Sequence, residues 1–310
     1  MRIRLTLNPE GKKAILPINY NYYLTSLIYR FIFSSSKDYS SFLHNQGYRI
    51  GKGKKGFKLF TYSMLSGTRY SVKADKIIFE NAPIAWEIAS PVDIFLQHLI
   101  SGAFTQGQLI NIGNENKGEG MGARFLIERI ETIPKPDFKE VMHFTCLSPI
   151  TISRVYNKAG TFGSDLLTIN NSKNNSDNFK NFDEENDICG YDSGHTPETR
   201  LGCHYIRPWE DGFSKAIEQN LIKKYKLVHG KDIEGDSTRG GSGNFEILVD
   251  KDYMNKKSGK ITKKINFKGT EIIGFLSPFE VRGNPKLIEV GYESGFGEKG
   301  SIGCGCVRKC

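Results

Sequence analysis

The hydrophobic and polar positions of the N-terminal half predict a mixture of strands and helices. Residues 2–7 alternate apolar and polar side chains, as a β-strand does, whereas residues 20–33 show the spacing of an amphipathic helix. A short second helix is predicted at 36–45, with Ser35 or Ser36 as its N-cap. The pattern further predicts strands at 57–64, 75–80, 108–113 and 124–132, and a helix from Pro91 to about Ala103.

The order of these elements predicts a fold. Strand, helix, strand, strand, helix, strand is the split βαβ arrangement of a ferredoxin-like domain. We therefore expect an N-terminal ferredoxin-like domain at 1–134, followed by a linker that contains Pro134 and Pro136.

The C-terminal half repeats part of this pattern. A helix is predicted at 210–226, and strands at 144–153, 244–249, 262–268 and 271–282. Residues 160–203 are rich in Asn, Asp, Ser and Gly, which predicts a polar insertion without regular structure. The fold class is therefore α+β, with tandem ferredoxin-like (RRM-like) domains, the second at 138–310.

Composition narrows the classes of function. The chain has 310 residues, of which 38% are hydrophobic, and these suffice for two cores. It contains no run of about 18 apolar residues, and its first residues lack a signal-peptide core, so we expect a cytoplasmic protein that contacts no membrane. The net charge of +9 favours an anionic partner.

Lysines and glycines are concentrated between residues 51 and 58. This lysine–glycine segment carries Lys52, Lys54, Lys55 and Lys58. It is a candidate nucleic-acid contact, and a solvated loop is the alternative. A second lysine cluster, at 251–264, is predicted to be a solvated loop.

The six cysteines do not predict a metal site. No Cys-x2-Cys pair occurs, and the only local group, Cys189, His195, Cys203 and His204, matches no standard zinc spacing. Cys304 and Cys306 alternate in a predicted strand and are interpreted as packing residues. We expect neither a metal nor another cofactor.

Residues 291–305 form a glycine-rich loop with six glycines, and Lys299 and Ser301 lie among them. Glycines permit positive φ and close approach to the main chain, and successive N–H groups in such a loop can bind an anion. The spacing is not that of a P-loop or of a dinucleotide-binding turn, because no helix follows. A glycine-rich hairpin without a ligand is the alternative.

Three side chains of the first domain suit metal-free RNA cleavage. The 2′-hydroxyl must lose a proton, the 5′-oxygen must gain one, and the phosphorane needs a nearby cation. His44, in the last turn of the predicted second helix, suits the acid, and Lys58 suits the cation.

Tyr29 is predicted to lie on the helix face opposite the apolar stripe, where solvent or a ligand can reach it. It would act as the base only if neighbouring cations lowered its pKa, and otherwise as an orienting group. Structural roles are the alternative for each of the three. No carboxylate cluster for two-metal catalysis is evident.

Several stretches resemble the CRISPR-associated endoribonucleases that process precursor CRISPR RNA, the sixth Cas family of the RAMP superfamily. They are Pro17 to Tyr29, Phe42-Leu-His44, Phe57-Lys58-Leu-Phe-Thr-Tyr-Ser63, Leu147-Ser-Pro149-Ile150 and the glycine-rich loop. The resemblance weakens over 155–205 and 231–262. It implies two ferredoxin-like domains that hold CRISPR repeat RNA in a basic cleft. It also implies metal-independent cleavage to a 5′-hydroxyl and a 2′,3′-cyclic phosphate.

The resemblance also implies roles for individual residues. Tyr29 corresponds to the catalytic tyrosine of the family, His44 to its general acid and Lys58 to its transition-state lysine. The stretch between His44 and Lys58 is longer than in close relatives, so Lys52, Lys54 and Lys55 are alternatives for the cation. RNA contacts are expected from those three lysines and from Gly295, Gly297, Lys299, Ser301 and Gly303.

The alternative function is a RAMP subunit that binds guide RNA in an interference complex without cutting it. A multi-subunit interference complex and a homodimer are both candidate assemblies.

Overall fold

A computed structural model of the chain describes residues 1–51, 56–80, 82–114, 121–157, 201–233 and 245–310. No helix among these residues is long and apolar enough to cross a membrane.

The described residues form six α-helices and seventeen strands. The helices are α1 (Asn21–Ser35), α2 (Lys37–Asn45), α3 (Asp93–Gln106), α4 (Phe213–His229), α5 (Lys251–Lys256) and α6 (Pro285–Ser294). The strands of the first half are β1 (Arg2–Pro9), β2 (Lys13–Pro17), β3 (Thr61–Tyr62), β4 (Ser66–Gly67), β5 (Tyr70–Lys73), β6 (Lys76–Glu80), β7 (Ile84–Ala89), β8 (Leu109–Asn114) and β9 (Met121–Ile133). Those of the second half are β10 (Val141–Cys146), β11 (Ser153–Asn157), β12 (Leu201–Tyr205), β13 (Glu246–Val249), β14 (Thr262–Phe267), β15 (Thr270–Phe275), β16 (Pro278–Arg282) and β17 (Val307–Lys309).

The main sheet of the N-terminal half has the strand order β3-β7-β1-β9-β8, and its ladders are antiparallel. The path β3-β7-β1-β9 contains four strands, which in chain order are β1, β3, β7 and β9. Helix α1 comes between the first and second of these, and α3 between the third and fourth, which is the ferredoxin-like arrangement. Ile3, Leu5 and Leu7 alternate towards a core that α1 and α3 cover. The two helices approach closely at Gly102, where a Cβ atom would lie 1.7 Å from the Phe31 carbonyl oxygen.

The C-terminal half repeats this arrangement. Its sheet has the order β13-β16-β10-β17, again antiparallel, with α4 before β13 and α6 before β17. The hairpins β11-β12 and β14-β15 are additions to it. A second hydrophobic core includes Phe144, Ile217 and Phe296, each completely buried. The predicted tandem ferredoxin-like fold is confirmed, while the domain limits 1–134 and 138–310 stay predictions.

Four predicted elements were wrong in part. The third strand of the first sheet is β7, not the predicted 75–80, which lies within a separate sheet, β2-β6-β5. The predicted strand 57–64 contributes only β3, because Leu59 has a positive φ of 49° just before it. The predicted strand 271–282 is two strands: β15 pairs with β14, and β16 begins at Pro278 in the other sheet. The strand predicted at 144–153 is interrupted after Cys146, where the N–H groups of Leu147 and Ser148 donate to the Cys306 carbonyl.

Three further predictions change in detail. The predicted insertion 160–203 lies largely outside the described residues, but its last three residues belong to β12. The lysine cluster 251–264 includes the unpredicted helix α5, whose N-cap Asp250 accepts a hydrogen bond from Tyr253 N–H. Cys304 and Cys306 lie before β17 rather than in a strand, although both are buried packing residues.

A buried ion cluster joins the two halves. The Glu87 carboxylate of β7 contacts Arg2 at 3.3 Å and Arg308, from β17, at 2.5 Å. Arg2 also donates to the carbonyl oxygens of Val307 and Tyr292. The first strand of one half is therefore bound to the last strand of the other.

Candidate active site

Helices α1 and α2 place Tyr29 and His44 side by side. Helix α2 begins at an N-cap, Ser36, whose hydroxyl oxygen accepts from Tyr39 N–H, and its last turn carries His44. The Tyr29 and His44 rings meet edge to face, with centroids 5.6 Å apart. Tyr29 is only 5% exposed, so its predicted position on a solvent face was wrong. Tyr29 is instead covered by His44 of α2 and by Phe60.

Lys58 completes this group. The chain leaves α2, pairs with itself between Tyr48 and Phe57, and so returns Lys58 to the end of the helix. Its ammonium group donates to the His44 carbonyl oxygen at 3.2 Å and lies 5.5 Å from the centroid of the Tyr29 ring. The negative end of a helix and the face of an aromatic ring both stabilise a cation. Lys52, Lys54 and Lys55 lie outside the described residues.

The proton positions on His44 follow from its neighbour. Its Nδ1 lies 2.9 Å from the side-chain oxygen of Asn45, whose amide nitrogen donates to Ser41. An amide oxygen only accepts, so Nδ1 carries a proton in this contact. The other ring nitrogen, Nε2, is buried.

The glycine-rich loop begins within the end of α6 and is packed between the two halves. Its first four residues end that helix, and the remainder runs to β17. At Gly297, with φ +84°, a Cβ atom would lie 2.2 Å from the Thr151 carbonyl oxygen of the C-terminal half. At Gly303, with φ +82°, it would lie 2.5 Å from the Tyr62 ring of the N-terminal half. These glycines are needed because other residues would collide on both sides.

This packing changes the expectation of an open anion-binding loop. Gly295, Gly297, Ser301 and Gly303 are buried, whereas residues 298–300, which include Lys299, are partly exposed. The N–H groups of Phe296 and Glu298 donate to protein carbonyl groups. Among the predicted RNA-contacting residues of the loop, Lys299 thus has the most accessible position.

A cleft separates the Lys58 segment from the glycine-rich loop. Residues 56–60 line one side and residues 297–301 line the other, together with Asn220, Lys224 and Ser294. About 490 Å³ of space lies among these residues, and this figure includes open solvent. Lys58 and Lys299 both line it, and the Glu298 carboxylate accepts from the Ser153 hydroxyl at 2.7 Å.

Sequence reasoning missed Lys224 of α4. This lysine is 5% exposed, and its ammonium group donates to three loop carbonyls: Ser294 at 3.2 Å, Gly295 at 2.7 Å and Gly297 at 2.8 Å. Burial lowers its pKa to about 7, and the negative charge of Glu298 opposes this shift. A signal was present, because Lys224 falls on the helix face of Phe213, Ile217 and Leu221, all of which are buried.

Metal ligation finds no support among the described residues, where no group of three or more His, Cys, Asp or Glu side chains is placed to hold a metal. Cys203 and His204 lie on β12, and His204 Nε2 is 2.6 Å from Glu210. Cys189 and His195 lie outside the described residues. What remains is a cleft lined by Lys58 and Lys299, with the His44 and Tyr29 rings next to Lys58. This arrangement suits proton transfer and the binding of phosphate charge.

Solved structures share this fold. A protein from a Cas6-related gene of Pyrococcus furiosus superimposes with a TM-score of 0.70 at 20% identity, covering 100% of this chain and 98% of that one. A structure described as CRISPR associated protein Cas6 gives a TM-score of 0.65 at 24% identity, covering 100% and 99%. Fold and cleft therefore define an α+β protein with two ferredoxin-like halves.

The family follows from the sequence. The family model described as CRISPR-associated protein Cas6, N-terminal, matches residues 15–116, and that described as CRISPR associated protein Cas6, C-terminal, matches residues 187–309. The chain belongs to the Cas6 family of CRISPR-associated proteins. CRISPR-associated endoribonuclease Cas6 1 of Methanocaldococcus jannaschii is 26% identical, over 99% of this chain and 92% of the relative. CRISPR-associated endoribonuclease Cas6 of Pyrococcus furiosus is also 26% identical, over 99% and 89%.

Proposed function

We propose that this protein is an endoribonuclease that binds CRISPR repeat RNA and cleaves precursor CRISPR RNA within each repeat. Its membership of the Cas6 family and its full-length similarity to two relatives named as endoribonucleases support this function. The reaction is a transesterification that needs no metal ion.

The observation that carries the mechanism is the meeting of Tyr29, His44 and Lys58. They come from α1, α2 and the segment before β3, yet Lys58 contacts both the end of α2 and the Tyr29 ring. A structural role alone would not require Lys58 to line a cleft that a second lysine, Lys299, also lines. Two cations beside one cleft favour a phosphate-bearing ligand.

In the proposed step, the 2′-hydroxyl of the nucleotide before the cut loses its proton and attacks the adjacent phosphorus in line. The bond from phosphorus to the 5′-oxygen breaks, and His44 gives that oxygen the proton held on Nε2. Lys58 stabilises the negative charge of the phosphorane. The products are a 2′,3′-cyclic phosphate and a 5′-hydroxyl; the proton of the 2′-hydroxyl passes to solvent, and His44 regains its Nε2 proton from solvent after the 5′-oxygen has taken it.

The burial of Tyr29 favours an orienting role over that of the base. Its ring lies against His44 and under the Lys58 ammonium group, so it fixes both groups relative to each other. Replacement by phenylalanine would keep these ring contacts. Tyr29→Phe is therefore expected to retain more cleavage activity than Tyr29→Ala, and equal losses would contradict the orienting role.

The first test is cleavage of a repeat RNA by the purified protein in EDTA. We expect cutting at one position, with products that carry a cyclic phosphate. A substrate with a 2′-deoxy nucleotide before the cut should bind but not be cleaved. Cleavage of that substrate would refute transesterification, and binding of the normal RNA without any cutting would instead support a guide-RNA-binding subunit.

The second test concerns the acid. His44→Ala should lower the single-turnover rate by about 10²- to 10⁴-fold, since general acid catalysis contributes that much. The matched control is His143→Ala, an exposed histidine on β10 that contacts Glu280. An unchanged rate in His44→Ala, or an equal loss in the control, would remove His44 from the mechanism.

A further inference from the structure

We infer that Lys224 is a positioning residue of the cleft: its side chain fixes the glycine-rich loop and thereby sets where Lys299 faces Lys58. This inference rests on the proposed function for the identity of the ligand, an RNA strand. Lys224 acts through the loop.

All three donors of Lys224 are used on the loop. An ammonium group has three N–H donors, and here they meet the carbonyl oxygens of Ser294, Gly295 and Gly297. Ser294 is the last residue of α6, where carbonyl groups lack partners within the helix and the helix dipole favours a cation. The positive φ of Gly295, +87°, and of Gly297, +84°, accompanies the turn of the chain around this one nitrogen.

A buried lysine is expensive unless its charge is compensated, and lysine is rarely buried to this degree. Here the compensation comes from the three carbonyl groups and from the negative charge of Glu298. An apolar residue would continue the buried face of Phe213, Ile217 and Leu221 more cheaply. The use of a charged residue at this position is therefore explained by the loop and not by the core.

The conformation of Lys299 supports control by the loop. Lys299 has φ +60°, a backbone conformation that residues other than glycine adopt infrequently. Such strain persists where the surrounding structure determines the conformation. Two residues before Lys299, the Gly297 carbonyl oxygen accepts a hydrogen bond from Lys224. Directly after Lys299, Gly300 is packed so closely that a Cβ atom on it would lie 2.5 Å from the Phe60 carbonyl oxygen. The segment that carries Lys299 is therefore fixed at both ends.

The direct test is a double-mutant cycle between Lys224 and Lys299. The measured quantity is affinity for a repeat RNA that carries a 2′-deoxy nucleotide at the cleavage site, so that no cutting occurs. Lys224→Met removes the three donors but keeps the length of the side chain, and we expect it to weaken binding on the order of tenfold. In the Lys299→Ala background the same substitution should cost much less, because the residue it positions is gone. Equal losses in the two backgrounds would overturn the inference.

Lys224→Met has a risk of unfolding the loop, so a second variant is included. Lys224→Arg keeps the charge, but a planar guanidinium cannot converge on three carbonyl oxygens as a single nitrogen does. We expect Lys224→Arg to fold and to bind RNA more weakly than the wild type does. In the Lys299→Ala background, the same Lys224→Arg substitution should change RNA affinity little. Wild-type affinity in Lys224→Arg would overturn the inference. Failure of the wild-type protein to cut normal repeat RNA would refute the proposed function alone, since this cycle measures binding.

Discussion

Replacement of Glu87 by glutamine is expected to weaken the contact between the two halves. Glu87→Gln keeps the shape of the side chain but removes a carboxylate that contacts Arg2, Arg4 and Arg308. Arg2 and Glu87 are each only 2% exposed, so the remaining charge on Arg2 would be buried without its counter-ion.

The magnitude follows from burial. Removal of one partner from a buried ion pair costs about 3–5 kcal/mol. Arg2 retains two backbone acceptors, and its guanidinium lies 3.9 Å above the centroid of the Tyr292 ring, so the lower end, about 3 kcal/mol, is expected. An exposed ion pair contributes about 0–1 kcal/mol. Glu10→Gln is therefore the matched control, because its pair with Arg124 is about half exposed on both sides.

The assay is equilibrium urea unfolding followed by tryptophan fluorescence, since Trp86 is the neighbour of Glu87 on β7 and fully buried. The difference between wild type and Glu87→Gln should depend on pH. Burial would raise the pKa of the Glu87 carboxyl, but hydrogen bonds from Arg308 and Arg4 and the charges of Arg308 and Arg2 outweigh it and hold the pKa below its usual value.

A lowered folded-state pKa means that the stabilisation is fully present above the unfolded pKa, near 4.3, and is lost as the pH falls through the lower folded value. The loss of stability in Glu87→Gln should thus be full at pH 7 and shrink below about pH 4. A loss at pH 7 no larger than that of Glu10→Gln, or a loss that grows on acidification, would refute this reasoning.

Three further predictions concern the site. Gly303→Ala should destabilise the protein by about 1–3 kcal/mol, through its positive φ and the Tyr62 ring, whereas Gly11→Ala, with ordinary space around it, should not; thermal unfolding compares them. Ser36→Ala removes the N-cap of α2 and should cost about 1 kcal/mol in urea unfolding, and no measurable change would contradict the capping contact. Lys58→Met should slow single-turnover cleavage by about 10²–10³-fold, as loss of a transition-state donor does, and an undiminished rate would transfer the cationic role to another lysine.

Local patterns predicted much of the first half. Helices α1, α2 and α3 follow from periodicity and capping chemistry, which depend on neighbours in sequence. The N-cap of α2 was predicted at Ser35 or Ser36, and it is Ser36. Strand β7 was not predicted although Ile84, Trp86 and Ile88 alternate, because the preceding run 75–80 already supplies a third strand to the predicted order. Periodicity shows that a segment is a strand, but it does not show which sheet the strand joins.

The site was predictable in part. The pattern and the family resemblance brought Tyr29, His44 and Lys58 together, and the structure places them in contact, while their roles stay predictions. The burial of Tyr29 depends on α2 folding over α1, and the burial of the loop glycines depends on both halves closing around them. Lys224 lies in the lysine-rich run Lys223-Lys224-Tyr225-Lys226, which a sequence pattern assigns to the solvent. Its position on the buried face of α4 was therefore not predicted.

The fit of the glycine-rich loop between the halves has a consequence for chimeric proteins. Gly303 packs against Tyr62 and Asn21 of one half, so closely that a Cβ atom would collide with them. Gly297 packs in the same way against Thr151 and Ile217 of the other half. If one half were exchanged for that of a relative only 26% identical, different side chains would pack against the glycine-rich loop. Active hybrids of such enzymes should therefore require that the glycine-rich loop be transferred together with the residues of both halves that pack against it.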